Sequence, residues 1–597
     1  MAKFLKRCST RQNCGLLFVL ALTSACSARS PSTPETGASG AAGPATGGVA
    51  AIGAGGNGSG TVPASGGSGS GVTALGPCAG SDIALHKRLV RLTFNQISNA
   101  VTSLTNAALG ATIATTYEIG DSEHRTFPPL ASPREGSTLT DSTWAKGDKI
   151  AADVAKYVVD NVATVTSCGA APSADCAKAF VLSFAERAFR RPLNDAEKAN
   201  LSKVLTDVAA AGGTASEQLQ YGTYAVLESP YFLYRTEFGQ DAGQAGTLTP
   251  YEVANQLAFF LTDTPPDMPL LDAAAQGALG TPEQISAQVK RIVALPAARQ
   301  NLQDAMFSYF GLYGLEKVVV DSPDFTDPVR NSMLHESELF LKNTLWSPKL
   351  SSLLNGRQST INATLAPLYG VPAPTSGLDA DGFALVDLPA NRAGILTNLG
   401  FLTARSRPDQ PSVVGRGLLV NAALLCASNP EFPKQLADQI AAASMMLADA
   451  TEREKSDYRT STTPCSGCHK SFDPYGLALG NFDTVGRFQT MDSKGRAIDA
   501  AVTLPPTAGS AQVKSATEMA DALAGGGAFA ACMAKNVMLY ALAEVPDEGA
   551  SVTSVSVTGC ATQSIAAGFA KTGQSFSDLV EQVAVSNTLG QRTAGAK

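Results

Sequence analysis

Cys465-Ser466-Gly467-Cys468-His469 decides how the C-terminal part of this chain is read. Two cysteines three apart, followed at once by a histidine, form the attachment run of c-type haem. The thiols add to the porphyrin vinyl groups, and the adjacent imidazole lies within reach of the iron as proximal ligand. With 11 Cys and 4 His in 597 residues, such a run arises by composition alone at odds of roughly one in a thousand. Two other chemistries use the same side chains. A local Cys465–Cys468 disulfide leaves His469 unexplained. A zinc site needs four ligands, yet His86, His124 and His335 are remote in sequence and no second Cys-x-x-Cys completes a ribbon. The preferred reading is one covalent haem c on Cys465 and Cys468, with His469 ligating iron.

The surroundings of the motif supply candidates for the rest of a haem site. Met491 follows Gly486-Arg487 in a polar loop, and a loop thioether swung over the distal face raises the reduction potential. It is the candidate distal iron ligand. Met519, Met533 and Met538 fall on expected helices and read first as packing. Lys470, Arg487 and Arg496 are either propionate partners or solvated surface charge. Asp473-Pro474-Tyr475-Gly476 contains strong turn formers and is expected to shape the loop under the haem. Asp483, Asp492 and Asp499 lack the spacing and glycine of a calcium loop.

The other end of the chain carries an export signature. Lys3, Lys6, Arg7 and Arg11 precede the apolar run Leu16–Leu22, then Thr23-Ser24-Ala25-Cys26. That is the anatomy of a signal peptide and is too short for a stable membrane span. Small residues running into Cys26 fit a lipoprotein box, so Cys26 is the expected lipidation site, with ordinary cleavage nearby as the alternative. From Ser27 to Pro77 the chain is mainly Gly, Ala, Ser, Thr and Pro, too poor in apolar surface to order itself, and reads as a disordered tether. Net charge is −7 with no basic tract, which argues against nucleic acid as partner. No later stretch is long and apolar enough for a bilayer, so membrane contact is expected only through the lipid anchor. Setting aside Cys8, Cys14 and Cys26 in the signal and the two in the motif leaves six cysteines, which suit an oxidising compartment. Cys168 with Cys176, across a short loop, is the readiest disulfide; Cys532 with Cys560 is a second candidate.

Between these ends, apolar residues recur at three- and four-residue spacing over 151–165, 177–190, 195–211, 250–261, 282–295, 297–310 and 331–345. That is the periodicity of helices packing one face inward. Thr249-Pro250-Tyr251-Glu252 and Thr281-Pro282-Glu283-Gln284 are helix starts. The fold class expected is mainly α, a multi-module helical protein with a C-terminal cytochrome-c-like segment behind the tether. The modules run 1–26 (signal), 27–77 (linker), 78–165, 166–240, 241–350, 351–455 and 456–597. Glu186, Arg187, Arg190 and Arg191 are expected to form helix-surface or inter-helix ion pairs. The body contains no Gly-x-Ser-x-Gly elbow, phosphate loop or His-Glu-x-x-His. Its two tryptophans, Trp144 and Trp346, do not by themselves build a sugar platform, and Tyr231, Phe232 and Tyr234 read as packing.

An ordered series of motifs resembles one family. Phe184-Ala185-Glu186-Arg187-Ala188-Phe189-Arg190-Arg191-Pro192-Leu193, Ser229-Pro230-Tyr231-Phe232-Leu233-Tyr234-Arg235 and Asn362-Ala363-Thr364-Leu365-Ala366-Pro367-Leu368-Tyr369-Gly370 open the series. Arg392-Ala393-Gly394-Ile395-Leu396-Thr397, Arg416-Gly417, Cys468-His469 with Asp473-Pro474-Tyr475-Gly476, and Asn481-Phe482-Asp483 continue it. It is similar to large secreted cytochrome-c-like proteins of planctomycetes and myxobacteria built from serial domains of unknown function, the 1592/1588/1585-type series. The resemblance covers roughly 86–592 and implies helical N-terminal and central parts with a cytochrome-c-like C-terminal segment. The chain departs from the pattern at Gly480, where the family has Glu, and at Tyr540-Ala541-Leu542-Ala543-Glu544, where it has Tyr-Ala-Leu-Gly-Arg. Two functional classes follow. One is an exported, periplasmic or cell-surface haem protein exchanging electrons with a redox partner or secreted protein. The other is a cell-surface interaction or polysaccharide-binding protein in which the motif is structural.

Overall fold

The computed structural model describes residues 87–117, 119, 141–239, 246–427, 434–543 and 559–592. The signal, Cys26 and the tether, with His86 and His124, lie outside the described residues. The chain is mainly α-helical, and the named strands among the described residues form four two-stranded antiparallel pairs.

Helix boundaries follow the capping chemistry. Thr249 and Glu252 form a capping box that opens Pro250–Thr262, and Thr281 with Gln284 does the same for Pro282–Val293. Each box satisfies two otherwise orphaned N–H groups, and proline in the first turn sacrifices no helical hydrogen bond. Ala174–Phe189, Asp195–Ala210, Pro296–Tyr309 and Asp327–Thr344 match the expected stretches closely. The helix expected from 151 instead starts at Asp141 and runs to Asp160. Its buried stripe, Ile150, Ala151, Val154, Ala155 and Val158, occupies only the later turns, so apolar periodicity gives no sign of the earlier ones.

Three apolar clusters organise the body. Leu92, Val101, Val154, Val181, Phe184, Leu219 and Phe232 belong to an N-terminal one. The largest joins Phe310 and Leu341 to Phe401 and Leu424 and to Tyr475, Met538 and Val583. It therefore unites residues from three of the expected modules. A third contains Leu315, Met333, Tyr369, Leu399 and Val485. Met519, Met533 and Met538 are fully buried in the largest cluster. Trp346 packs edge-on to Phe576 beneath Arg299, and Tyr231 packs on Phe189 and Arg191. No single described helix is long and apolar enough to cross a membrane. The bent pair Ala516–Gly525 and Gly527–Leu542 passes on length and composition, but many of its apolar side chains belong to the core.

The ends of the described body meet at one buried carboxylate. Arg88–Arg91 pairs with Tyr234–Glu237, and Gly246–Thr247 with Gln591–Arg592. Glu237 Oε2 accepts from Arg88 Nε at 2.7 Å and from Arg592 Nη2 at 2.5 Å, while Arg235 lies 3.7 Å from its Oε1. Burial alone would raise the Glu237 carboxyl, but Arg88, Arg592 and Arg235 outweigh it and bring it down to about 2. Arg88 Nη2 also donates to the Leu542 carbonyl at 2.6 Å, tying in the end of the helix Gly527–Leu542.

Two expectations are corrected here. Among the described residues Arg190 makes no ion pair: it ends its helix in the left-handed region at φ 61° and buries its guanidinium against the carbonyls of Ala188, Tyr231, Phe232 and Tyr234. Arg191 does pair, with Glu197 at 2.6 Å. Cys532 bonds Cys426 rather than Cys560, because the helix Gly527–Leu542 lies against the turn Val420–Leu424, where Asn536 donates to both Cys426 Sγ and the Cys532 carbonyl. Cys560 is also disulfide-bonded, and Cys168 is joined to Cys176 with their Cα atoms 5.6 Å apart.

Candidate functional site

The helix Glu452–Ser461 starts at a Thr451/Glu454 capping box and leads into the motif. A further helical turn, Ser466–His469, follows, with His469 N bonded to the Cys465 carbonyl at 3.0 Å. Residues at i, i+3 and i+4 share a helix face, so Cys465, Cys468 and His469 are presented together. Both thiols are free and partly exposed. The local-disulfide alternative is thus not realised, whereas Cys168–Cys176 and Cys426–Cys532 are closed.

Asp473 sits beneath the imidazole. Asp-Pro-Tyr-Gly does not form the expected turn but opens the helix Asp473–Ala478, with proline in its first turn. The same residues that favour turns also start helices, because a first-turn N–H has no helical partner to lose. The Asp473 side chain is fully buried. Its Oδ1 lies 2.9 Å from His469 Nδ1, and its Oδ2 accepts from Arg459 Nε at 2.7 Å and Ser456 Oγ at 3.1 Å. A carboxylate at Nδ1 assigns the proton to that nitrogen and leaves the Nε2 lone pair available. The ring rests on Phe472, centroids 4.9 Å apart. Arg459 Nη2 is buried without a hydrogen-bond partner, an unused donor next to the motif. Two free thiols and a side-held imidazole fit the donor set of a c-type haem, which asks the protein for one nitrogen on the proximal side.

This arrangement is braced from behind. The helices Val413–Leu419 and Asp473–Ala478 touch through glycines: a Cβ on Gly417 would lie 2.2 Å from the Phe472 carbonyl oxygen, and one on Gly476 1.8 Å from that of Val413. Arg416, fully buried, donates to the carbonyls of Phe482 and Asp483, each at 2.6 Å. Burial lowers its guanidinium to about 10, against the pull of Asp483, so it stays charged at neutral pH. Arg392 donates to the carbonyls of Leu368, Thr397 and Gly486 and lies over the rings of Tyr369 and Phe482. The arginines and glycines of the sequence motifs thus immobilise the backbone around the site. Sequence reasoning did not assign Asp473, Arg459, Arg392 or Arg416; only Asp473, four residues after His469, carried a spacing signal.

The other candidates are placed as follows. Met491 is half exposed in a hairpin and bridges to Ala497. Arg487 pairs with Asp324 at 2.6 Å, and Arg496 with Asp492 at 2.7 Å; Lys470 is exposed. Asp483, Asp492 and Asp499 each accept from backbone N–H groups two residues ahead in separate turns. Among the described residues no group of three His, Cys, Asp or Glu side chains is placed to hold a metal ion, and His335 faces Glu338 and Asp381, so the zinc reading lacks its ligand set there.

Three family models match the chain, each described as a protein of unknown function: PSD5 (DUF1595) at 176–237, PSD4 (DUF1592) at 248–371 and PSCyt3 (DUF1588) at 392–492. The chain carries a serial-domain series. Its first unit is of the 1595 type, which the expected series did not include. The motif, Asp473, Arg459, Arg392 and Arg416 all fall within 392–492. No curated protein and no solved structure matches the chain.

Proposed function

We propose that this chain is an exported c-type haem protein that performs one-electron transfer or haem-dependent redox chemistry, with the helical body as docking or substrate module. One observation carries the reading: two unbonded thiols and an imidazole held at Nδ1 share one helical turn. Cys465 and Cys468 would carry the thioether links, each S–H adding across a porphyrin vinyl group without net oxidation, and His469 would hold the iron. The name of the model matching 392–492 points to a cytochrome-like domain, although its description assigns no function. The disulfides Cys168–Cys176 and Cys426–Cys532 suit an oxidising, exported setting, consistent with the signal and with Cys26 as an anchor. Met491 is the proposed distal ligand.

The test is a pyridine haemochrome spectrum of the chain made with cytochrome c maturation machinery, beside Cys465→Ala/Cys468→Ala. A c-type band that persists on denaturation and is absent from the variant is expected. A folded wild-type chain without that band overturns the reading.

A further inference from the structure

We propose that Asp473 is a positioning residue that sets the electron-donating strength of His469, with Arg459 opposing it through the same carboxylate. The inference rests on the proposed haem site. Asp473 has no exposed surface, and each of its oxygens is engaged: Oδ1 by His469 Nδ1 at 2.9 Å, Oδ2 by Arg459 Nε at 2.7 Å and Ser456 Oγ at 3.1 Å. An exposed i,i+4 pair would be worth little and would be free to rearrange. This one is fixed on every side: Ser456 and Arg459 come from the preceding helix Glu452–Ser461, and the helix bearing Asp473 is locked to Val413–Leu419 through Gly476 and Gly417.

A buried carboxylate accepting the Nδ1 proton does two things to a histidine ligand. It fixes the tautomer and ring plane, and it raises the basicity of Nε2. A more basic axial nitrogen favours the oxidised metal and lowers the reduction potential. Arg459 draws charge from the same carboxylate and so limits that effect. The two side chains therefore act on His469 in opposite senses through one group.

That opposition gives the test. In Asp473→Asn the acceptor loses its charge, and the ratio of oxidised to reduced haem at a fixed potential is expected to fall about tenfold, which is about 59 mV for one electron. Arg459→Gln frees the carboxylate, and the ratio is expected to rise. Loosening of the fold would move both variants the same way; shifts of like sign, or none, overturn the proposal. A second measurement needs no haem. With only four histidines in the chain, selective ¹⁵N-histidine labelling of the unloaded full-length protein reads the His469 tautomer directly. A proton on Nδ1 that is lost or redistributed in Asp473→Asn supports the proposal, and one on Nε2 in the wild type overturns it. Absence of covalent haem with the Nδ1–H tautomer intact would sink the haem reading while leaving the positioning geometry in place.

Discussion

Glu237 and Asp473 are both buried carboxylates held by arginine, yet they do different work. Around Glu237 the close charged partners are Arg88, Arg235 and Arg592, guanidinium groups that only donate hydrogen bonds. The cluster fixes strand to strand and exchanges nothing. Around Asp473 one partner is Arg459 and the other an imidazole that has a second nitrogen to offer. The first lies among strand ends drawn from distant parts of the chain; the second sits directly behind two exposed-edge thiols. A buried charge cluster is equipped for chemistry only when one member keeps a donor atom the cluster does not use.

The sharpest way to break the comparison is to neutralise each carboxylate. Glu237→Gln removes the charge that Arg88, Arg235 and Arg592 share in the interior, and losing one partner of a buried ion pair costs about 3–5 kcal/mol. Urea unfolding should show that loss, while the His469 tautomer in whatever protein remains folded stays as in the wild type. A Glu237→Gln chain of unchanged stability would mean that the cluster contributes nothing to closure.

Acid should separate the body further. Glu237 falls from 4.5 to about 2 on folding, so its contribution is complete above pH 4.5 and is lost as pH drops towards 2, by about 3 kcal/mol. Glu336 has the opposite sign. Burial lifts it to about 7 against hydrogen bonds from Tyr369 and Ser359 and the charge of Arg392, so its own contribution is complete below pH 4.5 and is lost as pH rises through 7. Glu336→Gln should flatten the slope between pH 4.5 and 7, and Glu237→Gln the slope below it, both read by denaturant unfolding across pH. A wild-type curve level from pH 4.5 to 7 would contradict the raised Glu336.

At the motif, geometry predicts a contrast between two glycines. Gly476→Ala places a methyl 1.8 Å from the Val413 carbonyl oxygen, and relieving such an overlap costs about 1–3 kcal/mol while tilting the helix that carries Asp473. Gly467, between the two cysteines, has open space around its Cβ position, so Gly467→Ala should stay within about 0.5 kcal/mol. Equal effects on thermal unfolding would refute the close helix contact.

Much of this was legible in the sequence for local reasons. Caps and apolar periodicity act within a few residues, so Pro250–Thr262 and Pro282–Val293 could be located from their own letters. The motif was legible because its chemistry is contiguous. What escaped is what depends on distance: Arg190, Arg392 and Arg416 donate to carbonyls up to 94 residues away, and a carbonyl leaves no mark on the sequence. Asp473 escaped for another reason, since Asp-Pro-x-Gly serves a turn and a helix start equally well.

The smallest effect sharpens the comparison on the structural side. Ala543 follows the helix Gly527–Leu542 in the left-handed region at φ 54°, where a Cβ is disfavoured and glycine is the usual residue. It adjoins Leu542, whose carbonyl accepts Arg88 Nη2 beside the Glu237 cluster. Ala543→Gly should therefore stabilise the chain by about 1 kcal/mol, a gain visible in the denaturation midpoint. Because Ala543 belongs to the closure and not to the motif, the same variant should leave the His469 tautomer unmoved; a shift in it would show that the two carboxylate clusters are coupled through the shared core.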